Sequence, residues 1–489
     1  MRTYRQLTEI DFTRALPFGL LAAVYVLTRL PFIDYGHGTD PDAWRVAMTA
    51  HHLVDTGDYF PSRLPGNPLH ELVTTIFIPG GWIATNLSTM AVSLAGVYLF
   101  ALIVRLHAVP NAGVLVVGFA FAPLLFINSI ATMDYMWALT AILGAYYCQA
   151  TGRPLWAGVL LGLAMGFRLQ SFVAWAPLAY LAWRQGRIRD LAPLTLAMGG
   201  VALLCFAPVL VVYGTDFFNY YDAEVNASEV VRLVGKEALG IIGALGVLLA
   251  VLISLLRFRT LPGDLVREPQ VGVWVGFIII YTLAFARLPH EIAYLIPVFP
   301  FGLLLLGRYL TRIAITGAVA AILLAGVVDV TTPDEGFDSE AFRSATLGKG
   351  LVLSNAETMD LQRKFVSEVI EADVPDHAVV MTGFIFPQLA VRERDRLDAR
   401  ILRRDYEGIS MLSDRGEAVD EARDLRYVWL VDYNTFMALR AQGYAIFQVP
   451  DAATSTAALY DYRPGILGAT FLRLDQEAPA GEGAGSTDR

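Results

Sequence analysis

The sequence is short of charge. Of its 489 residues only 17% are charged against 55% hydrophobic, and the mean hydropathy is +0.50. A water-soluble chain of this length needs a charged surface around its core; this one cannot supply it, so part of its solvent is lipid. Basic excess is also lacking. The formal net charge of −9 excludes nucleic acid as a partner. Only two cysteines occur, Cys148 and Cys205, both inside apolar runs; a disulfide framework is excluded by number, and both read as small hydrophobes. No internal repeat is evident. The apolar run after Arg2, Arg5 and Arg14 is followed by no small-residue cleavage site, so a retained first span with its N-terminus in the cytoplasm is expected.

What the chain does have is a succession of apolar runs, at 15–33, 84–104, 111–130, 133–150, 154–167, 169–183, 191–213, 238–256, 271–286, 291–307 and 313–330. Read as helices crossing a bilayer, they make about eleven spans. With the N-terminus inside, short inner loops collect arginine (Arg184, Arg187 and Arg189; Arg257 and Arg259), as the positive-inside rule requires. An odd number of spans then places the remainder outside. From Thr331 onward 17 Lys and Arg face 27 Asp and Glu, which marks a domain boundary near residue 330. The expected fold class is a polytopic α-helical membrane protein, residues 1–330, followed by a small soluble α/β domain over 331–475 on the outer face and a disordered tail, 476–489. In that domain 355–371 reads as a helix, and 378–383, 427–433, 445–449 and 470–474 read as strands of a mainly parallel sheet. Thr382-Gly383 after the first strand is either a phosphate cradle or a plain turn.

Polar residues concentrate in the outer loop 34–71, which carries Asp34, His37, Asp40, Asp42, His51, His52, Asp55, Asp58, His70 and Glu71. Asp40-Pro41 is a helix start, an N-cap acceptor followed by proline at the first helical position. Ala43, Val46, Ala47, Ala50, Leu53 and Val54 recur at helical spacing as one apolar face, with Asp42, Arg45, Thr49 and His52 opposite, as in a helix lying along a membrane surface. Gly57 ends the helix, and Ser62 to Pro68 supply a turn.

These residues resemble the GT-C superfamily of membrane glycosyltransferases, which includes protein O-mannosyltransferases and the aminoarabinose transferases of lipid A. The matching pieces are Arg29-Leu30 at the end of the first span, Asp40-Pro41-Asp42-Ala43, and Arg63-Leu64-Pro65-Gly66-Asn67-Pro68. Three more follow in order: Thr132-Met133-Asp134-Tyr135, Gly166-Phe167-Arg168, and Pro289-His290-Glu291 through Tyr294-Leu295-Ile296-Pro297. The chain departs at the acidic motif, where the family often has adjacent Asp-Glu. The resemblance covers about the first 310 residues and implies transfer of a sugar from a polyprenyl-phosphate donor to an envelope lipid, glycan or protein acceptor at the outer face of the plasma membrane.

Such a transfer needs a carboxylate to deprotonate the acceptor and cations to stabilise the departing phosphate. Asp42 is the candidate base, or else a partner of Arg45; Asp40 is a second candidate, or only the cap of its helix. Asp134, at a span boundary, is a functional acid or an interfacial one. Arg168, between two apolar segments, is a phosphate ligand or the structural partner of Asp134. Arg63, Arg287 and His290 are candidates for the same anion or solvated loop residues, and Glu291 and Tyr294 join the site through the last matching piece. Asp40 and Asp42, with His51, His52 and His70, are also candidate ligands of a divalent Mg or Mn ion, although no fixed metal-binding spacing is present. The rival class, a transporter or translocator of lipid-linked sugars, predicts ionisable groups near the middle of several spans; here the spans are almost free of charge. A non-catalytic assembly subunit is the third reading.

Overall fold

A computed structural model of the protein describes residues 8–63, 65–214, 233–287, 291–331, 345–371, 378–381, 386–392, 402–404, 427–430 and 471–473. His290, Thr382-Gly383, the strand expected at 445–449 and the tail 476–489 lie outside the described residues. The chain divides into two compact units. One comprises Met1–Gly38 with Arg45–Glu357; the other comprises Thr39–Trp44 with Thr358–Arg489.

The first unit is built of helices. Proline sets where many of them begin: Pro41–Thr56, Pro68–Phe77, Pro123–Asn128, Pro154–Phe167 and Pro269–Arg287 all start on one. Proline has no N–H to lose in a first turn, and its fixed φ already suits the helix. The surfaces of the long apolar helices are themselves apolar. Leu16 and Leu20 on Ala15–Arg29, and Leu204 and Val211 on Leu191–Tyr213, are exposed, as lipid-facing side chains are.

Among the described residues four helical stretches are long and apolar enough to cross a bilayer: Ala15–Phe32, Pro68–Leu106, Ile188–Val211 and Pro269–Arg287. A fifth is reached if Ile241–Ile253 and Leu255–Arg267, bent by 67°, count as one span. Four shorter apolar helices accompany them, Ala112–Phe121, Pro154–Phe167, Val298–Tyr309 and Arg312–Ala325. Helix length alone does not confirm the expected count of about eleven spans. The run 111–130 breaks at Ala122-Pro123 into Ala112–Phe121 and Pro123–Asn128. The run 291–307 opens with the short 3-10 turn Ile292–Leu295 and becomes α-helix only at Val298. The run 313–330 ends as helix at Ala325, because Val328–Thr331 forms strand β1, antiparallel to β2, Thr346–Lys349. Hydropathy reports burial in lipid or protein and is blind to such breaks.

Small residues set the closest helix packing. On Pro154–Phe167, Gly158, Gly162 and Gly166 recur every four residues and face Leu191–Tyr213. A Cβ would run into Leu194 O at Gly158, would meet Met198 O at 2.7 Å at Gly162, and Cys205 Sγ at 2.6 Å at Gly166. Such small-residue stripes let helix backbones touch where apolar lipid supplies no hydrophobic drive to associate. The stripe fixes Pro154–Phe167, and with it the residue that follows, Arg168.

In the second unit the helix Leu351–Glu371, shared across the division at 357/358, precedes a four-stranded sheet of order β4-β3-β5-β6. The strands are β3 Ala378–Met381, β4 Leu402–Arg404, β5 Tyr427–Leu430 and β6 Phe471–Arg473. β3 is parallel to both β4 and β5, and β6 is antiparallel to β5. β4, only three residues of Leu-Arg-Arg, carries no alternation that a sequence reading can use.

Candidate anion site

Arg168 stands where Pro154–Phe167 ends. Its backbone is extended (φ −154°, ψ 111°), its N–H still bonds back to Ala164 O at 2.8 Å, and a 3-10 stretch, Leu169–Ala174, follows. This turn carries the side chain off the helix toward Asp134. Arg168 Nη1 donates to Asp134 Oδ2 at 2.7 Å, with the two side chains only 11% and 2% exposed. The guanidinium lies over two tyrosine rings, 4.2 Å from the centroid of Tyr135 and 4.5 Å from that of Tyr294. Ion pair and rings together repay part of the desolvation that burying a guanidinium costs.

Asp134 precedes the helix Tyr135–Ala150 and accepts the first helical bond through its backbone, Ala138 N to Asp134 O at 2.9 Å. Its side chain makes no capping bond, which leaves the carboxylate for Arg168. The turn in front of it is pinned by a buried polar network. Thr132 Oγ1 lies 2.8 Å from His37 Nδ1, 2.7 Å from Thr85 Oγ1 and 3.0 Å from Asn86 Oδ1, while Thr132 N donates to His37 O at 2.7 Å. Asn86 Nδ2 donates to Gly36 O at 2.8 Å. Burial, with the charge of His51 second, pushes the pKa of His37 down to about 3, so its imidazole works here as a neutral hydrogen-bonding group.

Arg63 belongs to the same cluster. It lies within electrostatic reach of Tyr135, Arg168, Tyr294 and Asp134. Burial and Arg168 lower its pKa, the two tyrosines and Asp134 raise it, and the net direction is upward. Two further groups surround the ion pair that the sequence reading did not connect with it. His70, buried with its ring 6.1 Å from that of Trp137, is within reach of Asp134. Tyr281, on Pro269–Arg287, is within reach of Arg168. Among the described residues His70 Nδ1 and the Tyr281 hydroxyl have no hydrogen-bond partner. Buried polar atoms in that condition are rare in native proteins and ask for an explanation.

The remaining candidates are placed as follows. Asp40, in the Thr39–Trp44 segment of the second unit, accepts from Asp42 N through Oδ1 at 2.9 Å. This is the N-cap bond expected ahead of Pro41. On the helix Pro41–Thr56, Ala43, Val46, Ala47 and Ala50 are buried as expected. Thr49, expected on the opposite face, is buried as well, and Val54, on the apolar face, is exposed. Arg287 sits in the last turn of Pro269–Arg287, and Glu291 caps Ile292–Leu295, accepting from Ala293 N at 3.1 Å. Among the described residues no group of three or more His, Cys, Asp or Glu could hold a metal ion.

An enclosed pair of arginines with a carboxylate, at the junction of several apolar helices, is an arrangement suited to an anionic headgroup. The fold carrying it is that of ArnT. Two crystal structures of ArnT from Cupriavidus metallidurans superpose on the chain with a TM-score of 0.54 and 13% identity: the apo state, over 89% of this chain and 96% of that one, and the complex with undecaprenyl phosphate, over 90% and 97%. No family model and no curated protein sequence matches the chain. Likeness to ArnT at this level of identity establishes the fold and leaves the chemistry to the residues.

Proposed function

We propose that the protein is an integral membrane glycosyltransferase that takes a sugar from a polyprenyl-phosphate donor and passes it to an envelope acceptor at the outer face of the plasma membrane. The observation that carries this reading is the Arg168–Asp134 pair, caged by Tyr135 and Tyr294 and joined by Arg63, on the fold of ArnT, whose own crystal structure holds undecaprenyl phosphate. Arg168 and Arg63 bind the donor's phosphate by charge-assisted hydrogen bonds, which are strongest in a site that water enters poorly.

In the transfer the bond from the anomeric carbon to the phosphate oxygen breaks, and its electron pair leaves with polyprenyl phosphate. The acceptor oxygen bonds to that carbon and gives its proton to a carboxylate, the role for which the GT-C-like acidic motif offers Asp42. The two guanidiniums stabilise the charge that grows on the departing phosphate. Asp40 holds the start of the helix that carries Asp42. No step of this reading runs through a metal ion.

The decisive assay is transfer from a polyprenyl-phosphate sugar in detergent or liposomes, with membrane insertion checked separately. Asp42→Asn keeps size and one acceptor but cannot take a proton, so the rate should fall by about 10²–10⁴-fold. Asp40→Asn should lose little, because asparagine caps a helix about as well as aspartate. Near-normal turnover by both variants overturns the glycosyltransferase reading of this segment.

A further inference from the structure

Glu71 is acidic, fully buried, and has no part in the chemistry described above; burial pushes its carboxyl pKa upward against the hydrogen bonds from Ser62, Tyr59 and Asn67. It stands in the first turn of Pro68–Phe77. Among the described residues it makes no salt bridge, yet four donors converge on its carboxylate. Oε1 accepts from Ser62 N at 2.9 Å, Ser62 Oγ at 2.5 Å and Asn67 N at 3.4 Å; Oε2 accepts from the Tyr59 hydroxyl at 2.5 Å. These donors flank Arg63 on both sides in the sequence. We propose that Glu71 is the positioning residue that sets Arg63 in the anion site, and that it acts through hydrogen-bond geometry rather than through its charge.

The segment has little means of holding itself. Pro61, Pro65 and Pro68 contribute no N–H, and Gly66, at φ +84°, adopts a left-handed turn whose Cβ position lies 3.0 Å from Pro61 Cβ. A chain with so few donors cannot close by backbone pairing, so a side-chain acceptor from the following helix closes it. Anchors on either side fix the result. Tyr59 packs against Phe206 and Val209 of Leu191–Tyr213. The Asn67 side chain, with its nitrogen turned toward the acceptors, donates to Gly66 O and to Phe167 O, each at 3.2 Å. Phe167 is the neighbour of Arg168. One carboxylate thus ties the Arg63 segment to the chain end that carries the other guanidinium.

A carboxylate whose oxygens already accept four bonds is poorly placed to act as a base. Glutamine at position 71 reproduces the arrangement without charge. Its carbonyl oxygen can accept from Ser62 and Asn67, and its amide can donate to the Tyr59 hydroxyl, which is able to accept.

The inference rests on the anion reading of Arg63, and the test separates the two. Full-length protein in detergent is used for hydrogen–deuterium exchange at the Ser62 and Asn67 amides and for affinity toward undecaprenyl phosphate. Glu71→Ala should expose both amides to exchange and weaken binding by about 10-fold, close to the effect of Arg63→Ala, and the double variant should be no worse. Glu71→Gln should stay within about 3-fold of wild type on affinity and keep both amides protected. The proposal is overturned if Glu71→Gln is as damaging as Glu71→Ala, if the double variant is additive, or if Glu71→Ala leaves exchange unchanged. If Arg63→Ala binds undecaprenyl phosphate normally, the anion reading of Arg63 fails, while amide exchange still decides whether Glu71 holds the segment. Should Glu71→Ala not fold, Tyr59→Phe and Ser62→Ala each remove one donor, and each should weaken binding by about 3-fold; no loss in either overturns the proposal.

Discussion

Arg29 and Arg168 both lie at the end of an apolar helix and both stack on aromatic rings, Arg29 fully buried and Arg168 nearly so, but their surroundings differ in kind. Among the described residues Arg29 meets only neutral partners. Nε donates to Ser129 Oγ at 2.7 Å, Nη2 to Ala120 O at 2.7 Å and Nη1 to Tyr25 O at 3.1 Å, with the Tyr25 ring centroid 3.4 Å away. Ala120 is in the last turn before the break at Ala122-Pro123, where helix carbonyls lose their own partners; Arg29 closes that end. Its site is complete. Around Arg168 the site is incomplete: the guanidinium is paired with Asp134, while the Tyr281 hydroxyl and His70 Nδ1 nearby have no partner among the described residues. A satisfied buried cation closes the fold, whereas an ion pair beside unsatisfied groups is what the proposed donor site calls for.

Arginine substitutions should break this comparison most sharply. Arg168→Ala should lower donor use per folded molecule by about 10²-fold, the loss expected for a transition-state charge ligand. Arg29→Met should instead cost stability, about 3 kcal/mol, by stranding Ala120 O and removing the donor to Ser129 Oγ, with activity per folded molecule unchanged. Transfer assays normalised to folded protein, together with thermal denaturation, measure both. Equal losses of activity would erase the distinction.

Two tyrosines sharpen the same contrast at smaller scale. Tyr146 accepts from Trp274 Nε1 at 2.9 Å and lies 2.8 Å from His107 Nε2, tying Tyr135–Ala150 to Pro269–Arg287 and to the end of Gly81–Leu106. Tyr146→Phe should lose about 1–3 kcal/mol of stability. Tyr281→Phe removes a hydroxyl that has no hydrogen-bond partner among the described residues, so its melting temperature should stay level or rise; a fall would show a partner for Tyr281 in the resting protein.

A pH slope extends the contrast to the buried histidines. Burial pushes His37 down to about 3, with His51 adding to it, and His107 down to about 4. Below about pH 6.5 the unfolded chain takes up protons that the folded chain refuses, so stability falls as pH drops from 6.5 toward 4, by about 1.4 kcal/mol per unit for each fully titrating histidine. His107→Gln should remove the share of one histidine from that slope in thermal melts.

Much of the frame was legible along the chain. Asp40-Pro41 announced a capped helix, and the cap bond is formed. The alternative of an Arg168–Asp134 ion pair was visible because a buried arginine between apolar segments needs a nearby acid. Three of the expected strands fall within their expected ranges, as β3, β5 and β6. Glu71 was visible only as one acid among many in a polar loop, and His107, Tyr146 and Trp274 carried no signal at all. The glycine stripe at 158, 162 and 166 was a readable pattern that the hydropathy reading passed over.

Composition, proline placement and apolar runs alone determined that this chain lives in lipid, where its helices begin, and which polar residues cannot be ordinary surface. Those properties depend on transfer free energy and local backbone sterics, which act over a few residues. The tertiary structure alone decided which helices break, which arginine meets neutral groups and which an acid, and that donors on both sides of Arg63 converge on Glu71. Each of these turns on a partner brought from elsewhere in the chain, 100 residues away for Arg29 and Ser129 and 34 for Arg168 and Asp134. Hydrogen bonds and ion pairs are directional and short, so only the packed fold can say which of many possible partners is met.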